Sequence, residues 1–219
     1  MPERKTDGPS PSELIQRDAS LDQLRESVQE CRGCDIWERA TQAVFGEGAQ
    51  HAEVMLVGEQ PGNREDIEGR PFVGPAGKLL DDALEQAGID RARVYVTNIV
   101  KHFNSTPRGK LRIHKKPNAR EIAACRPWLE AEISTVRPKV IVCLGSTAAQ
   151  ALLGREFRVS RQRGEVMKSA LASQIAATVH PSSILRSPDE ESRHAAMRQF
   201  VEDLKKIAQH LPQSVLKRK

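Results

Sequence analysis

Little in this sequence is built for a membrane. No apolar run approaches the ~20 residues needed to cross a bilayer. The first dozen residues are polar and proline-containing, with no hydrophobic signal-peptide core. These absences lead to the expectation of a cytoplasmic chain with no membrane partner. There is no Gly-x-Gly-x-x-Gly and no Gly-Lys-Ser/Thr, which excludes the common nucleotide-phosphate cradles. Neither an internal repeat nor a long linker interrupts the 219 residues, a length suited to one sizeable core. The expected organisation is a flexible arm over residues 1–11, one domain over 12–210 and a frayed basic tail over 211–219. The polar surface composition gives no reason to expect more than a monomer. Acid is also missing locally. Lys and Arg number 34 against 29 Asp and Glu, a net +5, yet residues 101–120 hold seven Lys/Arg and no acid. Residues 155–168 hold five basic and two acidic residues. Concentrated positive charge suits a polyanion such as nucleic acid, because phosphate contacts release counterions. A solvated loop is the plainer alternative, and the better one for the second stretch.

What is present alternates regularly. Val54–Gly58, residues 94–100, Val140–Leu144 and residues 175–179 read as four buried strands. The last is the weakest, because alanine is a poor strand former. Residues 12–30, 76–87, 119–135, Ser146–Leu153 and 190–209 read as helices. Ser12 and Asn118 are expected N-caps and Gly88 a stop. This alternation predicts a three-layer α/β/α domain around a central, mostly parallel four-stranded sheet. Ligands of such sheets bind beyond the carboxyl ends of the strands. Glu59 and Gln60 follow the first strand, Asn98 sits near the end of the second and His180 follows the fourth. Polar residues therefore gather at one rim.

The cysteines are Cys31, Cys34, Cys125 and Cys143. Cys31-Arg32-Gly33-Cys34 is a C-x2-C knuckle, a spacing that lets two thiolates converge on one metal or cluster. Disulfides do not suit a chain without an export signal. Four thiolates suit either tetrahedral zinc or a [4Fe–4S] cluster, and spacing alone slightly favours zinc.

Three segments remain. Gly58-Glu59-Gln60-Pro61-Gly62 sets a carboxylate on a glycine turn; it would repel a phosphate but suits activating a nucleophile or stabilising a cation. Lys110-Leu111-Arg112-Ile113-His114-Lys115-Lys116 lies in the acid-free stretch. His180-Pro181-Ser182-Ser183-Ile184-Leu185-Arg186 follows the fourth strand. Singly, each has a plain reading: an exposed turn, a solvated loop, a strand end. Phe72 taken alone is core, and Asn98 a turn cap. Together, in this order and beside four cysteines, they resemble a family 4 uracil-DNA glycosylase over about residues 31–186, and within that family the UdgX branch.

The resemblance implies a uracil-DNA glycosylase fold, uracil-containing DNA as the partner, single- or double-stranded, and a [4Fe–4S] cluster on Cys31, Cys34, Cys125 and Cys143. It implies that Glu59, His114 and His180 carry the chemistry, that Gly58, Phe72 and Asn98 surround the uracil, and that Gln60 contacts the base or the loop. Lys110, Arg112, Lys115, Ser182, Ser183 and Arg186 would contact the DNA. In the UdgX branch the loop reads Lys-Arg-Arg-Ile-His and its histidine becomes joined to DNA; here Leu111 replaces the first arginine. Arg112, Lys115 and Lys116 disfavour a second positive charge beside them, so a neutral, nucleophilic His114 is expected. Three outcomes are distinguished: uracil excision with covalent capture through His114, ordinary hydrolytic turnover, and a non-catalytic iron–sulfur DNA-binding module.

Overall fold

An apolar run makes a stable strand where both of its faces are covered, and four such runs form the centre of the protein. The computed structural model describes residues 8–109 and 111–217. Residues 1–7 of the expected arm, Lys110 and the last two residues of the tail lie outside the described residues. The strands are β1 (Val54–Gly58), β2 (Val94–Asn98), β3 (Ser105–Arg108), β4 (Leu111–His114), β5 (Val140–Leu144), β6 (Val166–Lys168) and β7 (Gln174–Thr178). The helices are α1 (Pro11–Leu14), α2 (Leu21–Ser27), α3 (Asn63–Glu68), α4 (Pro75–Gln86), α5 (Ala119–Val136), α6 (Ser146–Leu153), α7 (Val159–Gln162), α8 (Pro181–Leu185) and α9 (Glu190–Ala208).

The main sheet runs β2-β1-β5-β7-β6. Its first four strands are parallel, and β6 pairs antiparallel with β7 at the edge. The fold class is as expected, but the sheet has five strands rather than four. Alternate residues face opposite layers. Met55, Val57, Tyr95, Ile141 and Ile175 pack with Trp128, Leu129 and Ile133 of α5. Leu56, Val94, Val96, Val142 and Ala176 pack with Leu80 and Leu84 of α4 and Phe200 and Leu204 of α9. Among the described residues no helix is long and apolar enough to cross a membrane.

Three local expectations are corrected. The helix expected over residues 12–30 is broken: Ser10, not Ser12, caps α1, Asp18 turns with φ 59°, and Ser20 caps α2. The basic loop contains an antiparallel hairpin, β3 with β4, Ser105 opposite His114. The tail is docked through residue 217: Leu211 and Val215 are buried, and Leu216 bridges to Ile89.

The parallel register fixes the site. Gly58 lies opposite Asn98, and Leu144 opposite Thr178, so the residues that follow these strands emerge on one rim. Beneath the end of β2, Lys101 forms an ion pair with Glu132 of α5, both side chains wholly buried. Glu132 also accepts hydrogen bonds from Tyr95 Oη, Thr97 Oγ1 and the Gly46 amide at 2.9–3.0 Å. Removing one partner of such a pair leaves an uncompensated buried charge. Lys101→Met is therefore expected to cost about 3–5 kcal/mol of stability, read by urea unfolding; a loss under about 1 kcal/mol would sink this account of the pair.

Candidate active site

Each strand end contributes one polar group, and the turns after them decide where it points. Glu59 leaves β1 and is only one-fifth exposed. Its Oε1 lies 3.3 Å from Nε2 of His114 on β4, and its Oε2 accepts a short hydrogen bond from Thr147 Oγ1 in the first turn of α6. Burial pushes the Glu59 carboxyl up, but the hydrogen bonds from His114 and Thr147 outweigh it and hold the group below its ordinary range. Glu59 is thus ionised at neutral pH. The His114 side chain is half exposed beside it, its ring 6.3 Å from that of Phe103.

Across the cleft, His180 caps α8. Its Nδ1 accepts the Ser182 amide N–H at 3.1 Å and lies 2.8 Å from Ser182 Oγ. Burial pushes the ring down to about 4; Glu59 pulls it up, while Arg186 and His114 push it lower. A neutral imidazole whose Nδ1 accepts must carry its proton on Nε2, so His180 is a neutral donor at pH 7.

Between these two walls lie Asn98, 3% exposed, and Phe72, 9% exposed with φ 56°. The Asn98 amide makes no side-chain hydrogen bond with any described residue, which leaves its donor and acceptor for a ligand. Gly58 makes this arrangement possible: a Cβ there would lie 2.3 Å from Asn98 Oδ1 and 2.8 Å from Phe72 Cζ. The cleft encloses about 940 Å³ and is lined by Glu59, Gln60, Phe72, Asn98, His114 and His180, with Ser182, Ser183 and Arg186 at its edge.

Of two expected contacts, Gln60 takes its loop alternative and Arg112 points elsewhere. The Gln60 amide donates to the carbonyls of Asn104 (3.3 Å) and Lys115 (3.1 Å) and accepts from the Asn104 N–H (3.2 Å). It clasps both ends of the hairpin and is not free for a base. Arg112 also turns inward. It donates to Asp66 Oδ2 (2.6 Å), Asn63 Oδ1 (2.9 Å) and Thr41 Oγ1 (3.2 Å), and lies 5.3 Å from the Phe103 ring centroid. Asp66 is wholly buried. Arg112 is thus a clamp that holds the His114 hairpin to α3, rather than a ready phosphate contact.

Sequence reasoning missed Thr147, Asp66 and Arg163. Arg163 lines the far end of the cleft, paired with Asp203 at 2.5 Å, with its Nη2 buried and unpartnered among the described residues. Thr147 and Asp66 carried no local signal. The only hint of Arg163 was its place in the second basic stretch.

The thiols of Cys31, Cys34 and Cys125 line a second, small closed cavity. Trp128 Nε1 donates to Cys31 Sγ at 3.3 Å, and the Lys101 N–H to Cys125 Sγ at 3.2 Å, as suits sulfurs that carry negative charge. Burial pushes Cys34 up to about 11 and Cys125 up to about 12, so the charge of a bound metal would be needed to deprotonate them. Cys143 does not line this cavity. Among the described residues no three His, Cys, Asp or Glu side chains gather closely enough for one metal ion. Tetrahedral zinc draws its sulfurs to about 3.8 Å of one another at ~2.3 Å bonds, whereas a four-iron cube takes one ligand per corner and spreads them wider. The donors fit the cube better than the single ion.

Residues 45–205 match a family model described as the uracil DNA glycosylase superfamily. The chain is 38% identical over 197 residues to the type-4 uracil-DNA glycosylase of Sulfurisphaera tokodaii, covering 86% of this chain and 83% of that one. It is 36% identical to the type-4 enzyme of Archaeoglobus fulgidus, over 87% of this chain and 92% of the relative. For that of Thermotoga maritima the values are 36%, 88% and 95%. The likeness therefore spans nearly the whole fold and not one motif.

The His180 assignment is checked by nitrogen NMR of the ring near pH 6. A neutral ring protonated at Nε2 is expected there, although an unperturbed histidine is largely charged at that pH. A doubly protonated ring would overturn it.

Proposed function

The chain belongs to the uracil-DNA glycosylase superfamily, and from that premise we propose that it cuts the N-glycosidic bond of deoxyuridine in DNA, with Glu59 and His180 as opposed catalytic groups and His114 as acceptor of the sugar. The observation that carries this reading is the Glu59–His114 contact facing His180 across one cleft.

The base must leave the DNA stack to enter such a cleft. Phe72 offers a face to stack on, and the Asn98 amide matches the N3–H and O4 edge of uracil. As the C1′–N1 bond breaks, its electron pair departs with the base. The Nε2–H of His180 donates to the O2 that gains this charge, a preorganised stabilisation of the oxyanion-hole kind. The cationic sugar left behind faces the Glu59 carboxylate. In the capture branch, the unprotonated ring nitrogen of His114 bonds to C1′ through its lone pair, and the proton on the other ring nitrogen passes to Glu59. The product is a neutral alkylated imidazole on an abasic sugar, which water does not readily break. Ser182, Ser183, Arg186 and the Lys115 side chain are the candidate backbone contacts; Lys110 lies outside the described residues. Cys31, Cys34 and Cys125 would hold a [4Fe–4S] cluster, whose contribution is to cross-link the N-terminal knuckle to α5.

Hydrolytic turnover is the second reading, and the relatives, named as type-4 glycosylases, favour it over capture. There, water activated by Glu59 takes the sugar and His114 only lines the cleft. The two readings separate on a single-stranded oligonucleotide bearing one uracil, boiled in SDS with the protein before electrophoresis. Capture predicts a uracil-dependent band shifted by the mass of the protein and lost in His114→Ala. Alkali-labile DNA with no shifted band means turnover. Neither signal would sink the glycosylase reading. Glu59→Gln is expected to lower excision by about 10²–10⁴-fold while DNA binding, measured separately, changes little; equal loss of both would make Glu59 structural.

A further inference from the structure

The cysteine cavity has three thiols, and a four-iron cube needs a fourth ligand. Cys143 was the expected one, but its position argues against it. It lies on β5, in register with Val57 of β1 on one side and Ala177 of β7 on the other. The cavity opens beside the chain that leaves β2, on the far side of β1. Two strand spacings of ~4.8 Å, about 10 Å in all, separate those positions. No other thiol is available, since the chain has four cysteines.

A different donor already lines the cavity. His102 shares it with Cys31, Cys34 and Cys125. The residue is 4% exposed, and no described residue hydrogen-bonds its ring. The ring lines the same cavity as the three thiols, and nothing among the described residues already engages it as a hydrogen-bond partner. Its backbone is fixed from the preceding residue, whose N–H bonds to Cys125 Sγ at 3.2 Å. We propose that His102 is the fourth protein ligand of an iron–sulfur cluster held by Cys31, Cys34 and Cys125, and that Cys143 is ordinary core. This assignment rests on the cluster reading given above.

The exchange of one thiolate for a neutral imidazole makes the ligand shell one unit less negative, which raises the reduction potential. It also joins the cluster to the active site through the chain. Phe103, the next residue, has the His114 ring at 6.3 Å and the Arg112 guanidinium at 5.3 Å from its own ring centroid, and Asn104 carries the Gln60 clasp. A ligand at residue 102 would pin the base of the hairpin that presents His114.

The test uses the full chain, purified without oxygen, after labelling with ¹⁵N-histidine. Iron and sulfide content of the unaltered protein come first. About four of each per chain are expected, and a protein with neither would overturn the cluster reading. Given a cluster, pulsed electron paramagnetic resonance of the reduced protein should detect a directly coupled nitrogen that changes with the label. Cys143→Ala should keep full iron, whereas His102→Ala should lose at least one iron per chain. His102→Cys should restore the iron, abolish the nitrogen coupling and shift the potential negative, a rescue that misfolding does not mimic. A loaded cluster without nitrogen coupling, or iron lost from Cys143→Ala and retained in His102→Ala, would overturn the ligand assignment while leaving the cluster reading standing.

Discussion

A charge buried away from water must be paired, and the segment that leaves β2 is organised around one such pair. Lys101 Nζ donates to Glu132, to Thr97 Oγ1 at 2.7 Å and to the Asn98 carbonyl at 2.7 Å. The pair ties the end of β2 to α5, and Asn98 sits inside that knot with its amide left for the cleft. The same lysine's amide meets Cys125, and the residues after it carry the chain past the cysteine cavity to the hairpin. The cavity, Asn98 and the His114 loop therefore share one anchor. Buried ion pairs add little net stability over an apolar substitute; what this one fixes is direction, since donors from Gly46, Tyr95, Thr97 and Lys101 converge on the one carboxylate of Glu132.

Above that anchor, the site is a division of labour set by environment. Glu59 and His180 face one cleft with opposite burdens. Burial works against charge in both; in Glu59 the donors overcome it, whereas in His180 it outweighs the pull of Glu59 and the ring stays neutral. An anion facing a neutral donor across one cleft is the polarity that heterolysis of a glycosidic bond demands. Placing both at strand ends follows from parallel pairing, because four parallel strands bring their carboxyl ends to one side.

Much of this was legible in the sequence, for a definable reason. Glu59, Asn98 and His180 stand at the ends of apolar runs, and the runs themselves report the parallel sheet. Ser146–Leu153 and the Asn118 cap could be read because their signals are local. What escaped was tertiary. Arg112 meets Asp66 across 46 residues, and Thr147 meets Glu59 across 88; nothing in either neighbourhood announces the partner. Strand β6 has three residues and lies at an edge, too short for a period to be seen, and the β3–β4 hairpin carries Pro107 and mostly exposed side chains. Asp18 breaks the first helix with a left-handed turn that residue type alone does not demand. Nor does counting thiols report that Cys143 lies on β5, two strands away from β2.

The difference between a turnover enzyme and a suicidal one is small in this architecture. On the proposed chemistry both use the carboxylate of Glu59 and a nucleophile against it; they differ in whether that nucleophile is water or a side chain. A mobile loop would present His114 only part of the time and leave water to compete. Here the hairpin is held at one end by the Gln60 clasp and across its width by Arg112 on buried Asp66. The ordering entropy of the loop is therefore met when the protein folds rather than when DNA arrives. A preorganised imidazole at 3.3 Å from the carboxylate has a high effective concentration relative to solvent. On the capture reading proposed above, Arg112, turned inward onto buried Asp66, positions the attacking group, which a surface cation would not do.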